Sequence, residues 1–127
     1  MTNNKEIVEQ RRNERFRARN GAFVALRPHY TKLGQISDIS MDGLSFHYMS
    51  REELPNASFD VLDILVTNDD FYLETVPFEI VSDFEITKVP LSAVAIKRCS
   101  VKFGVLTDDQ KSRLKNFIHN HTMDTVH

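Results

Sequence analysis

From residue 22 onward the chain consists of short apolar runs rich in β-branched and aromatic residues, separated by polar or Gly/Pro punctuation. Residues 22–27, 32–39 and 44–49 read as three successive strands. In the third, Leu44, Phe46 and Tyr48 share one face while Ser45 and His47 share the other, the period of two that one-sided burial imposes. Residues 59–66 are apolar on both parities, with Phe59, Val61 and Leu65 against Leu62, Ile64 and Val66. That pattern predicts a strand covered on each face, by a helix or a partner. After the turn at Asn68, Asp69 and Asp70 the alternation is clean, with Val76, Phe78, Ile80, Phe84 and Ile86 on one parity. Thr75, Glu79, Asp83, Glu85 and Thr87 hold the other, which predicts a long strand or a bent pair. Pro77 has no amide donor and so belongs at an edge, a bulge or a strand start. Beyond Pro90, Cys99, Val101, Phe103 and Val105 alternate with Arg98, Ser100, Lys102 and Gly104 and close the sheet.

The run Thr107, Asp108, Asp109, Gln110 is a capping-box sequence with acids in the positive first turn of a helix. It predicts a helix to about Asn120, with Leu114, Phe117 and Ile118 as its apolar stripe. Six or seven antiparallel strands followed by one helix predict a mainly β fold, a small barrel plugged or covered by the C-terminal helix. Residues 1–20 are polar and lack a sustained apolar period, although Ile7, Val8 and Phe16 are able to anchor a turn or two of helix. They read as a flexible arm, residues 21–122 as barrel and helix, and residues 123–127 as a tail.

At 127 residues the chain suffices for one core, and 41% hydrophobic with 27% charged residues is a soluble globular composition. No apolar run approaches a membrane span, and the N-terminus leads into charge rather than a secretory signal. A bacterial-type cytoplasmic setting is expected. The single cysteine, Cys99, cannot close an intramolecular disulfide and reads as a small core residue.

Charge changes the picture. Five of the nine arginines, Arg11, Arg12, Arg15, Arg17 and Arg19, stand against Glu14 alone in residues 11–19, a local +4 in a chain of net charge −2. This asymmetry argues for one localised anion site rather than a broadly basic nucleic-acid surface, and no specific DNA binding is expected. Some twenty residues on come Asp38, Ile39, Ser40, Met41, Asp42 and Gly43. Catalytic constellations are lacking in the pattern: Glu79, Asp83 and Glu85 read as a solvated strand face, and the five histidines have no metal-ligand spacing. Ser40 has no histidine placed by sequence to activate it, and with four glycines there is no phosphate-cradling Gly-rich loop. The reading is of a chain that is not an enzyme and holds no metal or cofactor.

Together the two segments resemble the motifs of the PilZ family of cyclic di-GMP receptors, which combine RxxxR before the first strand with [DN]xSxxG at the end of the second. Arg11 to Arg15 matches the first and Asp38 to Gly43 the second, with 22 residues between them forming one hairpin. The strand after the motif and the terminal strand leading into a capped helix agree with that family, over about residues 9–120. The resemblance implies a stand-alone PilZ-like barrel of split-barrel type whose ligand is cyclic di-GMP, bound by Arg11, Arg15, Asp38, Ser40 and Gly43 and also by Arg12. It further implies an N-terminal arm that changes conformation on binding and passes the signal to a downstream protein.

The chemistry of these side chains fits such a ligand. Cyclic di-GMP is a dianion with two guanines. Arginine's planar fork matches both a phosphate and the guanine O6/N7 edge. A carboxylate at Asp38 accepts from guanine N1 and N2, Ser40 donates or accepts nearby, and Gly43 permits a positive φ or a close backbone approach. Alternation puts Asp38 and Ser40 on the same side of the strand end; their alternative role is to cap the turn. Two departures stand out: Gln10 occupies a position where many members have a further arginine, leaving one ligand or an intercalated pair open, and Asp42 stands where a second glycine is common. The other reading of the chain is a ligand-independent PilZ-like interaction module whose arm docks on a protein, RNA or anionic lipid.

Overall fold

The computed structural model describes residues 14–27, 32–51 and 61–126. Among the described residues the strands are β1 (Phe16–Ala18), β2 (Ala22–Arg27), β3 (Lys32–Ile39), β4 (Gly43–Arg51), β5 (Val61–Val66), β6 (Tyr72–Lys88), β7 (Val94–Phe103) and β8 (Thr122–Thr125). One helix, α1 (Asp108–His121), precedes β8. The strands pair antiparallel in the order β2-β5-β6-β7-β4-β3, and β3 returns to β2, so six strands close a barrel. Closure removes most of the free edge that an open sheet would present, leaving part of β3 open.

Period-two burial fills the barrel. Leu44 and Phe46 on β4, Leu62 and Ile64 on β5, and Cys99 and Val101 on β7 all lie in one core, which Leu114 and Phe117 of α1 complete. A fully buried side chain such as Phe46 contributes roughly 1.5–3 kcal/mol. The helix starts where the capping box places it: Thr107 Oγ1 accepts from the Gln110 amide at 3.1 Å, and Gln110 Oε1 accepts from the Thr107 amide at 3.0 Å. Gln110 Nε2 also donates to the carbonyls of Thr75 (3.0 Å) and Glu74 (3.2 Å), so the cap ties the helix to β6.

Several elements differ from the sequence reading. Phe16–Ala18, within the segment read as an arm, form β1, and Thr122–Thr125, at the boundary with the tail, form β8. Each is too short and too polar to show a period of its own. They form because β3 has an edge to offer: residues 32–35 pair with β2, while Asp38 and Ile39 pair with Arg17 and Phe16 of β1, onto which β8 adds. Residues 75–87 are one strand, but Ile80, Phe84 and Ile86 are about half exposed. A register shift between Ile80 and Ser82 inserts an extra residue and reverses the parity ahead of Phe84, and Ile86 falls within a second shift between Glu85 and Thr87. Pro77 sits where β6 passes from β5 to β7. Val105 is solvent-exposed, because β7 stops at Phe103 and the Gly104 amide turns to the Pro77 carbonyl at 2.7 Å. On the second parity of β5 lies Asp63, 1% exposed, whose cover includes the side chains of Arg27 and Tyr72.

Candidate functional site

The second motif begins with a strand irregularity. Ile36 lies opposite Phe46 and Asp38 opposite Ser45, so Ser37 is an extra residue on β3. Simple alternation would put Ile36 and Asp38 on one face. The extra residue breaks it: Ile36 and Ile39 both enter the core, and Asp38 is turned to the outside of the barrel.

There Asp38 is only 5% exposed, because two arginines enclose it. Arg15, just before β1, donates from Nη1 to Oδ1 at 2.5 Å, and Arg98 of β7 donates from Nη2 to Oδ2 at 2.9 Å. Charge-assisted bonds of this kind are about twice as strong as neutral ones. Two guanidiniums on one carboxylate leave the cluster net positive, as an anion site requires. β1 delivers Arg15 because it docks on β3 at Asp38, and Arg98 reaches across β4 over the small Ser45, whose hydroxyl is 2.8 Å from that of Ser100.

An adjoining groove of about 490 Å³ is lined in part by Arg17, Gln35, Ser37, Asp38, His47 and Arg98. His47 lies opposite Arg98 on the neighbouring strand, and its Nδ1 is 2.5 Å from Ser37 Oγ. This combination of a buried carboxylate, guanidiniums and an imidazole on one wall offers both donors and an acceptor to a polar, anionic ligand.

Of the residues expected at the site, Arg15 and Asp38 are brought together. Arg11 and Arg12 lie outside the described residues. Ser40 is buried in the β3–β4 turn, where its Oγ accepts from the Asp42 amide at 3.1 Å and its own amide donates to the Gly43 carbonyl at 2.8 Å. Its hydroxyl thus caps the turn. Gly43 allows a close approach, but to the protein itself: a Cβ there would stand 2.1 Å from the Val101 carbonyl oxygen. Gly43→Ala is therefore expected to push β4 from β7 and destabilise the chain by about 1–3 kcal/mol, seen as a lower thermal unfolding midpoint.

Sequence reasoning missed Arg98, His47 and Ser37. Arg98 belonged to an alternating polar parity indistinguishable from a solvated face, and only barrel closure carries β7 within reach of Asp38. Of the acids weighed for catalysis, Asp83 has structural partners: both its oxygens accept from the Tyr48 hydroxyl (2.7 and 2.8 Å), and Lys97 lies 3.4 Å away. Burial, and then the bond to Asp83, push the Tyr48 hydroxyl well above the usual phenol range.

This barrel, with a helix packed on its core and an N-terminal strand docked beside the Asp38 turn, has solved counterparts. Over 87% of its length the chain superposes on the K. pneumonia MrkH–c-di-GMP complex with TM-score 0.61 and 20% identity, and over 88% on the PilZ domain with c-di-GMP of YcgR from Escherichia coli with TM-score 0.56 and 15% identity. The fold is PilZ-like. A second MrkH structure, described as a c-di-GMP-dependent transcription regulatory factor, matches at TM-score 0.58 and 17% identity. The PilZ-like chain spans about half of the MrkH chains (51% and 50%) and 91% of the YcgR domain. No protein-family model matches the sequence, and no curated protein matches it. None of the helices described in this PilZ-like chain is long and apolar enough to cross a membrane.

Proposed function

We propose that this chain is a receptor for cyclic di-GMP that passes the signal to a partner protein rather than acting as an enzyme. The observation that carries the reading is Asp38, held between Arg15 and Arg98 at the wall of a groove large enough for a nucleotide. Arg15 offers a fork for phosphate or for guanine O6/N7, and Asp38 offers the acceptor that guanine N1 and N2 need. The pairing of RxxxR with [DN]xSxxG, in a fold shared with structures solved with c-di-GMP, supports the same ligand. Arg11 and Arg12, outside the described residues, are proposed as further guanidinium contacts to the dianion, while Ser40 and Gly43 shape the turn that presents Asp38.

Relay by the arm takes a narrower form than the sequence reading. Phe16–Ala18 belong to the sheet as β1, so a ligand-linked rearrangement falls to residues before Arg15. A partner would then read a surface made of those residues and the barrel rim.

Isothermal titration tests the receptor reading: saturable, stoichiometric binding of cyclic di-GMP is expected, with little response to GTP or GMP. General binding of polyanions that weakens steeply with salt would instead mark the arginine segment as a docking arm. Asp38→Ala is expected to lose roughly 1–3 kcal/mol of binding through the base-edge contacts. It should also lower stability, since two arginines lose their shared anion; a stability loss with affinity intact would assign Asp38 to scaffolding alone.

A further inference from the structure

Asp38 and Arg98 come from strands with β4 between them, yet their side chains meet at 2.9 Å at the groove. The result is an acceptor and a donor set side by side. Arg98 commits Nη2 to Asp38 Oδ2, and its side chain stays partly exposed on the groove wall, with further N–H groups to offer. Ser45, buried beneath this reach, and Ser100, hydrogen-bonded to it, leave no bulk that would lift the guanidinium away.

A guanine edge runs from the O6 acceptor through the N1–H donor to the N2–H donors. A guanidinium beside a carboxylate is the complementary row. Adenine has an N6 donor where guanine has O6 and an N1 acceptor where guanine has N1–H, so the same pair would face it donor to donor and acceptor to acceptor. We infer that Arg98 is a specificity-determining residue of the nucleotide site, donating to guanine O6 while Asp38 accepts from N1 and N2. This rests on the cyclic di-GMP reading above. The competing role is that of a counter-ion, in which Arg98 only neutralises Asp38 and touches no base.

The two roles separate in a titration of the full chain followed by NMR at up to millimolar ligand, where weak binding of cyclic di-AMP is measured beside that of cyclic di-GMP. Arg98→Ala is expected to lose roughly tenfold or more in affinity for cyclic di-GMP while changing that for cyclic di-AMP by less than about twofold, so that discrimination collapses. Because Asp38 loses a partner in that variant, Arg98→Lys is measured alongside it. Lysine keeps the charge that neutralises Asp38 but replaces the planar fork with a single, shorter-reaching ammonium, so discrimination is expected to fall, by less than in the alanine variant. Equal losses for both nucleotides, or unchanged discrimination in the folded lysine variant, would overturn the inference and leave Arg98 a counter-ion. A wild-type chain that binds no cyclic di-GMP would overturn the receptor reading and this inference with it.

Discussion

Replacing Asp63 with alanine is expected to destabilise the chain by about 3–5 kcal/mol, the usual consequence of removing one partner from a buried ion pair. Its carboxylate is 1% exposed, and the neighbours that give it hydrogen bonds or an ion pair include Arg27 Nη2 at 3.0 Å, the Tyr72 hydroxyl at 2.7 Å and the Thr75 amide at 2.9 Å. The last of these matters most. Thr75 has a φ of 61°, a conformation that costs a β-branched residue on the order of 1–3 kcal/mol and persists only where its surroundings over-determine it. Asp63 supplies that constraint from across the strand pair. Glu74 and Thr75 together lie opposite it, between the Leu62–Val76 and Ile64–Leu73 pairs, and the carbonyls of the same two residues receive Gln110 at the start of α1. Without Asp63 the strained turn of the backbone, the Arg27 guanidinium and the helix tether lose their common anchor. Urea unfolding should show the effect as a fall in midpoint of roughly 1–5 M, given a slope of about 1–3 kcal/mol per M for a small protein. Asp63→Asn, which keeps an acceptor, should lose less, and a shift below about 1 kcal/mol in the alanine variant would show that the cluster does not hold the fold.

Arg15→Ala should have the largest effect on ligand binding. On the proposed reading it removes a charge-assisted contact to the dianion as well as one of the groups that orient Asp38, so affinity for cyclic di-GMP should fall by about 1.5–3 kcal/mol for each lost contact, roughly 10- to 150-fold. From the sequence alone, Arg15 lies in an arm outside the core, and its loss should leave thermal stability unchanged. The geometry predicts otherwise. Arg15 donates to a buried carboxylate, so the variant should also lose a modest part of its stability, with Arg98 still compensating Asp38. Calorimetric titration and a thermal melt of the same sample check both halves. Unaltered affinity in a variant that melts lower would confine Arg15 to structure and shift the ligand's anion contacts to Arg11 and Arg12.

Much of the barrel was legible along the chain because its strands bury one face each. Leu44, Phe46 and Tyr48 announce their period without reference to any other element, and the Thr107–Gln110 capping box marks the helix start by purely local hydrogen bonding. The sequence also singled out Arg15 and Asp38, since an arginine cluster and an acid–hydroxyl–glycine turn are unusual enough in type and spacing to be noticed.

What remained hidden depends on partners distant in sequence. β1 and β8 exist because β3 leaves an edge open beside the barrel, and nothing within three or four polar residues encodes that edge. The extra residue at Ser37 reverses the side on which Asp38 emerges, and bulges do the same to β6; a period of two read along one strand carries no information about where its partner slips. Arg98 is the clearest case. Sixty residues from Asp38, in a strand whose polar parity looks solvated, it reaches the carboxylate only because six strands close on themselves and set β4 and β7 in register. The sequence by itself determined which segments are strands, where the helix begins and which two motifs carry the charge and the acceptor, because those follow from local periodicity and residue chemistry. Only the tertiary structure decided which face Asp38 occupies and which arginine completes its site, because both are properties of strand pairing, and pairing is settled between segments rather than within them.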